Sequence, residues 1–199
     1  MRTSQQGPEI TDGLDPYTLL PLLCGFVESQ FSGQPACIAA SALLVAAGEQ
    51  FGVTLRPQPV SIWSGDRAGQ SATGHRARDF GLSMGAKVRS NTVTEGDSDW
   101  FHSVGHLIAV SDEHRVLLDS TYGQFPRPGT DRRTVVMQVP SMSLAGDQEW
   151  ALQEGEWHVK YWPVNSPDTW KLEYEDAQRL IVPIYLPAVV RLVRNHIIQ

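Results

Sequence analysis

Three residues of this chain have the types and the order that nucleophilic catalysis by a thiol requires. Cys37 follows Pro35 at the start of an alanine-rich run, His106 opens an apolar segment, and Asp119 ends the next apolar segment. In such catalysis a thiolate attacks a carbonyl carbon, an imidazole transfers the proton, and a carboxylate holds the imidazole in one tautomer. The residues occur along the chain in the order Cys, His, Asp.

The spacing of His106 and Asp119 predicts that they face each other in a β-hairpin. Two apolar runs flank a polar turn at residues 112–114. With the turn centred between Asp112 and Glu113, His106 lies opposite Asp119, and opposed residues have Cβ atoms about 4.5–5.5 Å apart on one face. We expect a one-residue shift of this centre to send the two side chains to opposite faces.

Cys37 is predicted to lie in the first turn of a helix. Pro35 suits that turn, the alanines favour a helix interior, and Gly48 or Gly52 can end the helix. The unpaired amides and the dipole of a helix N-terminus stabilise a thiolate, which lowers the pKa of the thiol. The same amides can donate to the oxyanion that forms when a thiolate attacks a carbonyl.

Other residues that could take part in chemistry receive supporting or structural roles. The side-chain amides of Gln34 and Gln124 are candidates for a second donor to the oxyanion or for substrate binding, whereas Cys24 lies mid-helix and is assigned to the core. The histidines lack ligand pairs of the H-E-x-x-H or C-x-x-C type, and His102 and His106 stand four apart on a strand. We therefore predict no metal site and no cofactor.

The rest of the chain supplies the elements that must position these residues. In the first half of the chain, the hydrophobic pattern and the turn residues predict a loose N-terminal arm over 1–13, a helix over 16–31, and an edge strand or broken strand pair over 53–63. A long and largely irregular insertion over 64–100 follows, with one short helix near 76–82. The second half is predicted to contain strands over 134–139 and 156–162 and a closing helix that starts at Pro187. The aromatic-rich stretch from Trp150 to Trp170 is assigned to core packing. Together these elements form one α+β domain over residues 14–199.

Composition places the chain among ordinary soluble globular proteins. It has 199 residues, of which 41% are hydrophobic and 19% charged, with 16 Lys+Arg against 22 Asp+Glu. Nucleic acid and anionic membranes call for a concentrated basic surface, so neither is expected as a partner. Two cysteines cannot form a disulfide framework, and the sequence has no signal-peptide core and no run approaching the roughly 20 apolar residues of a membrane helix. We therefore expect a cytoplasmic protein.

Three segments resemble the transglutaminase-like group of papain-like thiol enzymes, which includes the arylamine N-acetyltransferases. The segments are QPACIAA at 34–40, GHLIAV at 105–110 and LLDSTYGQF at 117–125. The resemblance implies a papain-like core in which a helix-start cysteine packs on an antiparallel sheet that carries the histidine and the aspartate. It also implies that Cys37 is the nucleophile, His106 the base and acid, and Asp119 the orienting residue.

Residues and resemblance together predict a cysteine-dependent amide hydrolase or acyltransferase that works through a thioester on Cys37. The substrate would be a peptide, a protein or a small molecule with an amide or thioester group, entering between the helix of Cys37 and the 64–100 insertion. Water and an amine both remain open as acyl acceptors. Two alternatives stand beside this prediction: an acyltransferase of a biosynthetic pathway, and a non-catalytic protein-binding module on the same fold. The sequence fixes neither the oligomeric state nor the role of residues 127–199.

Overall fold

The chain folds as a mixed α+β structure, as its sequence predicts. The computed structural model describes residues 14–31, 36–66, 69–84, 99–102, 105–124, 132–140, 148–164 and 170–198. The helices in this part of the chain are α1 Pro16–Phe31, α2 Cys37–Gln50, α3 His75–Ser83, a short 3₁₀ helix Tyr122–Gln124, α4 Lys171–Leu180 and α5 Val182–Ile197. The strands are β1 Arg56–Gly65, β2 Gln70–Thr73, β3 Asp99–His102, β4 His106–Ser111, β5 Val116–Asp119, β6 Val135–Gln138, β7 Trp150–Glu154 and β8 Trp157–Pro163.

The eight described strands form one sheet. Six of them lie in the order β3-β2-β1-β4-β5-β6, while β7 pairs with β8 and β8 pairs with β1. Only β2 and β3 run parallel, and every other described pairing is antiparallel. The two strands that carry His106 and Asp119 therefore lie in the interior of the sheet, with neighbours on both sides.

Strand β1 is central, so the prediction of an edge strand or broken strand pair was wrong. It pairs with β4 over Arg56 to Val60 and with β8 over Val60 to Gly65. Pro57 and Pro59 both lie before the pairing with β8 begins. In this part of β1 only the side facing β4 is paired with another described strand. A proline, which has no backbone N–H to donate, is tolerated in a sheet where its N–H would face an unpaired side.

Both faces of strand β4 are buried. On one face Leu107 and Ala109 share a buried cluster with apolar residues of α1, α2, α4 and α5. On the other face Ile108 and Val110 pack with residues of β6, β7 and β8. Because neither face of β4 meets solvent, this strand holds its side chains in fixed positions between helices and sheet.

The aromatic residues of the last strands pack in the core, as predicted. Trp150 and Tyr161 are 1% and 0% exposed and belong to the cluster that contains Ile108 and Val110 of β4. Trp157 lies in the same cluster, and Trp162 packs with Trp63 on the other side of β8. Burial of aromatic surface from β7 and β8 against β1 thus stabilises the sheet that carries the candidate site.

The two N-terminal helices agree with the sequence analysis. Helix α1 spans the predicted residues 16–31, and Cys24 within it is fully buried, as expected of a core residue. Helix α2 begins at Cys37 and ends at Gln50. Gly52 follows with a φ of 72°, a left-handed conformation that glycine adopts without strain at helix ends.

The C-terminal helices differ from the prediction. Helix α5 begins at Val182, five residues before the predicted start, and Pro187 lies inside it while Pro183 occupies its first turn. Helix α4 was not predicted, because half of its ten residues are charged and only Tyr174 and Ala177 are buried. Its apolar positions Tyr174, Ala177 and Ile181 follow helical spacing, but they are too few to stand out among the charged residues.

The predicted insertion over 64–100 contains more regular structure than expected. Helix α3 lies where the short helix was predicted, but strands β2 and β3 add a parallel pair to the sheet. Residues 85–98 lie outside the described residues, as does the predicted arm over 1–13.

None of the described helices is by itself long and apolar enough to cross a membrane. Helices α4 and α5 reach the necessary length and hydropathy only as a pair, and the pair is bent by 66°.

The hydroxyl of Tyr174 makes no hydrogen bond within the described part of the chain, although the residue is only 7% exposed. Burial and the negative charge of Glu49 raise the pKa of this phenol to about 12. An unpaired buried polar group costs about 1–3 kcal/mol, so removing the hydroxyl relieves that cost while the ring still packs. We expect Tyr174→Phe to increase the free energy of unfolding by about 1 kcal/mol, measured by urea denaturation.

The matched control is Tyr122→Phe. The hydroxyl of Tyr122 accepts from the indole N–H of Trp157 at 2.6 Å and lies 2.7 Å from the hydroxyl oxygen of Ser64. Its removal leaves the Trp157 indole N–H without that acceptor, so this variant is expected to be less stable than the native protein. A loss of stability in Tyr174→Phe as large as that in Tyr122→Phe would contradict the prediction.

Candidate active site

Strands β4 and β5 bring His106 and Asp119 into direct contact. Nε2 of His106 lies 2.9 Å from Oδ2 of Asp119, and both side chains are excluded from solvent, at 1% and 0% exposure. A buried carboxylate against an imidazole favours the imidazolium and fixes the ring orientation. The pair therefore has the geometry of a base with its orienting group.

The pairing register differs from the prediction, which was wrong by one position at the turn. Ala109 lies opposite Leu118 and Ser111 opposite Val116, so the hairpin loop contains the four residues 112–115. In this register Asp119 falls opposite Ile108, and His106 is its diagonal neighbour two residues along the strand. The two side chains still share a face, because moving the turn centre by a whole residue shifts each partner by two positions. The expectation that such a shift would separate them was therefore also wrong.

Asp119 is held by groups from two further places in the fold. The phenol of Tyr161 on β8 donates to Oδ2 at 2.9 Å, and the backbone N–H of Thr121 donates to Oδ1 at 3.1 Å. The Thr121 contact is a local turn of the kind that Asp-Ser-Thr indicates in sequence. Nothing in the sequence connects Asp119 with Tyr161, which lies 42 residues further along the chain. Sequence reasoning missed Tyr161 as a site residue for that reason.

The N-terminus of α2 places Cys37 beside this pair. Cys37 is the first residue of the helix, Ala36 precedes it, and no side chain caps the helix start. One turn later the buried Ser41 donates its hydroxyl to the carbonyl of Leu107 at 3.0 Å. Because Leu107 follows His106 directly, this hydrogen bond fixes the helix to the strand within one turn of the thiol. Sequence reasoning did not single out Ser41, whose partner comes from β4.

The two cysteines have opposite electrostatic environments. Burial raises the pKa of the Cys37 thiol, but the hydrogen bond and charge of His106 and a hydrogen bond from the backbone of Leu107 outweigh it, and the pKa is lowered from its ordinary value. For Cys24, burial raises the pKa well above the ordinary value, and the charges of Asp119 and Glu28 raise it further. A thiolate is therefore stabilised at Cys37 and disfavoured at Cys24.

His106 shows the complementary shift. Burial lowers its pKa, but the charge and hydrogen bond of Asp119 together with the contact to Cys37 raise the pKa to about 10. With the Cys37 pKa lowered and the His106 pKa raised, the pair exists as thiolate and imidazolium between the two values.

Gln124 contacts the histidine rather than an open oxyanion position. Its Nε2 atom lies 3.0 Å from Nδ1 of His106, at the end of the 3₁₀ helix that follows β5. A neutral Nδ1 accepts the amide N–H, and a protonated Nδ1 can be met by the amide oxygen after rotation of the amide. Gln124 is thus placed to serve both protonation states of the ring. Gln34, the other predicted donor, lies outside the described residues.

A groove of about 510 Å³ opens at the start of α2. One side is formed by residues 36–39, including the partly exposed Cys37, and the other by one face of α4 together with Ile181. No described residue of the 64–100 insertion lines this groove, and residues 85–98 of the predicted entry lie outside the described residues. Among the described residues, no group of three His, Cys, Asp or Glu side chains is placed to hold a metal ion.

Compared with protein-family models, curated proteins and solved structures, this chain gives no match. The resemblance to papain-like thiol enzymes therefore remains a prediction from the three sequence segments.

The hydrogen bond from Tyr161 to Asp119 predicts a positioning role for a residue that touches no reacting atom. Tyr161→Phe removes one of the donors to the Asp119 carboxylate and loosens the support of His106. We expect the midpoint of the pH profile for Cys37 alkylation to move up toward the ordinary thiol pKa, because a less firmly held imidazolium stabilises the thiolate less. The measurement is the rate of iodoacetamide labelling between pH 5 and pH 9, followed by mass spectrometry.

Tyr122→Phe is again the matched control, because it removes a phenol of the same buried cluster that bonds Trp157 and Ser64. Both variants are expected to lose stability, since each removes a bonded buried hydroxyl, but only Tyr161→Phe is expected to move the pH midpoint. Equal midpoints for the two variants and the native protein would rule out a positioning role for Tyr161.

Proposed function

We propose that this protein is a cysteine-dependent amide hydrolase or acyltransferase with Cys37 as nucleophile, His106 as base and acid, and Asp119 as orienting residue. The observation that carries the proposal is the buried 2.9 Å contact of His106 with Asp119, made beside a helix-start cysteine whose pKa is lowered. A helix-start cysteine on a sheet that carries the other two residues also supports a papain-like, transglutaminase-like core. A catalytic thiol must stay reduced, which favours the cytoplasm as its compartment.

In the first half of the reaction the Cys37 thiolate attacks the substrate carbonyl carbon, and a carbon–sulfur bond forms while the carbonyl oxygen becomes an oxyanion. The backbone N–H of Cys37, which has no partner within the helix, is available to donate to that oxygen. The imidazolium of His106 gives its proton to the leaving amine, thiol or alcohol as the carbonyl carbon–heteroatom bond breaks. A thioester on Cys37 and a neutral His106 remain.

In the second half His106 acts as the base. It removes a proton from water or from an amine, which attacks the thioester carbonyl, and the carbon–sulfur bond breaks to release the acid or the new amide. The thiolate and the imidazolium are then restored. Because Nε2 of His106 is engaged by Asp119, Nδ1 is the nitrogen that carries the transferred proton, and Gln124 lies against that atom.

An acyl-enzyme trap tests this proposal. On mixing with p-nitrophenyl acetate at pH 7 we expect a burst of one p-nitrophenolate per chain, and an increase in mass of one acetyl group located on Cys37. The adduct should be removed by hydroxylamine, as a thioester is. Its lifetime in water compared with that in added primary amines reports which acceptor the site prefers.

Two variants provide the controls for the trap. Cys24→Ala should keep the burst, because its thiol is buried and stays protonated, while Cys37→Ala should lose it. A native protein that shows no burst and carries no adduct on Cys37 would contradict the proposal and favour the non-catalytic binding module.

A further inference from the structure

The groove at Cys37 has walls of two kinds. The side chains of Ile38, Leu180 and Ile181 give it an apolar surface, and Leu180 is 52% exposed although it is a large hydrophobic residue. The helix N-terminus with Cys37 lies along the same groove. A volume of about 510 Å³ with mainly apolar walls and a few polar groups is typical of a small-molecule or side-chain binding site.

The polar groups that line the groove are two carboxylates. Glu173 and Asp176 lie on the face of α4 that also carries Leu180, because residues three, four and seven apart share one face of a helix. Asp176 contacts Arg179 at 2.7 Å, so its charge is partly balanced. Within the described part of the chain no ion pair holds Glu173, and no Lys, Arg or His lines the groove.

We propose that the substrate attacked by Cys37 carries an aliphatic arm that ends in a positively charged group, an ammonium or a guanidinium, and that Glu173 and Asp176 bind this charge. The reactive carbonyl lies at the helix start, where backbone N–H groups favour a developing negative charge. The aliphatic arm lies along Ile38, Leu180 and Ile181. This inference rests on the proposed function, because it names the substrate class of the same site.

The two ends of the groove thus differ in electrostatic character. The N-terminus of α2 attracts the oxygen that becomes negative, and the carboxylates of α4 attract the cation. An anionic arm would meet Glu173 without compensation, and a neutral arm would leave both carboxylates in water. The arrangement therefore discriminates by charge as well as by apolar contact.

Thiol-specific reagents test the inference without knowledge of the natural substrate. We would use three methanethiosulfonates with an n-butyl chain that ends in an ammonium, a methyl or a sulfonate group. In each reaction the Cys37 thiolate attacks the sulfenyl sulfur, a disulfide to Cys37 forms, the sulfur–sulfur bond of the reagent breaks, and methanesulfinate leaves with the electron pair. The readout is the ratio of the ammonium rate to the sulfonate rate, in which the thiolate fraction cancels.

The native protein should react faster with the ammonium reagent than with the sulfonate reagent. Glu173→Gln and Asp176→Asn should each lower this ratio by about fivefold, and added salt should lower it in the native protein because exposed charges are screened. Glu175→Gln is the matched control, since Glu175 is an exposed glutamate of the same helix that does not line the groove. Its ratio should equal that of the native protein.

The outcomes separate this inference from the proposed function. If Cys37 reacts rapidly with the neutral reagent at pH 6 but the charge ratio is the same in Glu173→Gln, Asp176→Asn and Glu175→Gln, the inference is overturned and the proposed function stands. If Cys37 is no more reactive toward the neutral reagent than a free thiol at that pH, the proposed function fails and the inference fails with it.

Discussion

Replacing His106 with alanine is expected to lower the rate of Cys37 alkylation by iodoacetamide at pH 6 by about 30-fold. An ordinary thiol with a pKa of about 8.5 is roughly 0.3% thiolate at this pH, whereas a thiolate paired with an imidazolium is predominantly ionised. A thiolate of lowered pKa is intrinsically less nucleophilic, which offsets about one order of magnitude of this gain. The factor of about 30 that remains is the expected loss of labelling rate in His106→Ala.

The shape of the pH profile gives the sharper measurement. The pKa of Cys37 is lowered, so its thiolate is retained as the pH falls until that lowered value is crossed, and the His106 imidazolium is retained until the pH approaches about 10. In the native protein the labelling rate should therefore fall only as the pH drops through the lowered Cys37 pKa, so that the midpoint of the profile lies below the ordinary thiol value. In His106→Ala the midpoint should return toward the ordinary thiol value, and between pH 6 and pH 8 the rate should rise about tenfold per pH unit, because only the ordinary thiol titration remains.

Two further variants distinguish loss of thiol activation from loss of folding and from the loss of any histidine. His106→Ala leaves the Asp119 carboxylate buried without its partner, which destabilises the fold, so His106→Gln is measured beside it because glutamine retains most of the volume and a donor. His158→Ala replaces a histidine of strand β8 and should leave the profile unchanged. A lowered midpoint that survives in both His106 variants would show that the histidine does not activate the thiol.

Replacing Cys37 with alanine is expected to abolish the acyl-enzyme burst and to lower steady-state turnover of thioesters by at least about two orders of magnitude. The alanine variant retains the helix-start amides, but it has no atom that can form the covalent intermediate. Because Cys37 is partly exposed and packs at the edge of the buried cluster, its thiol contributes less packing than a fully buried side chain, and the thermal midpoint should stay within a few degrees of the native value.

Cys24→Ala is the matched comparison for this prediction. Cys24 is fully buried in α1, so its loss removes packing and should lower the thermal midpoint more than Cys37→Ala does. Its turnover should remain close to native. Substantial turnover in Cys37→Ala, or a loss of turnover in Cys24→Ala without unfolding, would contradict the assignment of Cys37 as the nucleophile.

Much of what positions the candidate site is encoded locally. The apolar spacing in 16–31 predicts α1 with its observed bounds, and the alanine-rich run after Cys37 predicts α2. The hairpin that carries His106 and Asp119 also follows from its two apolar runs. Each of these features depends on residues within one helix turn or one strand of each other, so short-range periodicity is enough to identify it.

Other elements carry weak local signals. The sequence of α4 is half charged and shows only a short apolar stripe, and the prolines of β1 suggest an edge strand although the strand is central. The hairpin register was misplaced because residues 112–115 form a four-residue loop, with Arg115 at a φ of 53° that a sequence pattern does not mark. In each case the fold is decided by contacts with distant elements rather than by local preference.

The sequence by itself determined the order and types of the three candidate residues, the start of a helix at Cys37, and the two strands that carry His106 and Asp119. Only the tertiary structure decided that Tyr161 of β8 supports Asp119, that Gln124 contacts His106, and that α4 forms the second wall of the groove. The physical reason is the separation along the chain between the residues that interact. Helix and strand patterns are set by neighbours a few residues apart, while these contacts join segments brought together by burial of apolar surface, which has no direction and leaves no fixed spacing in the sequence.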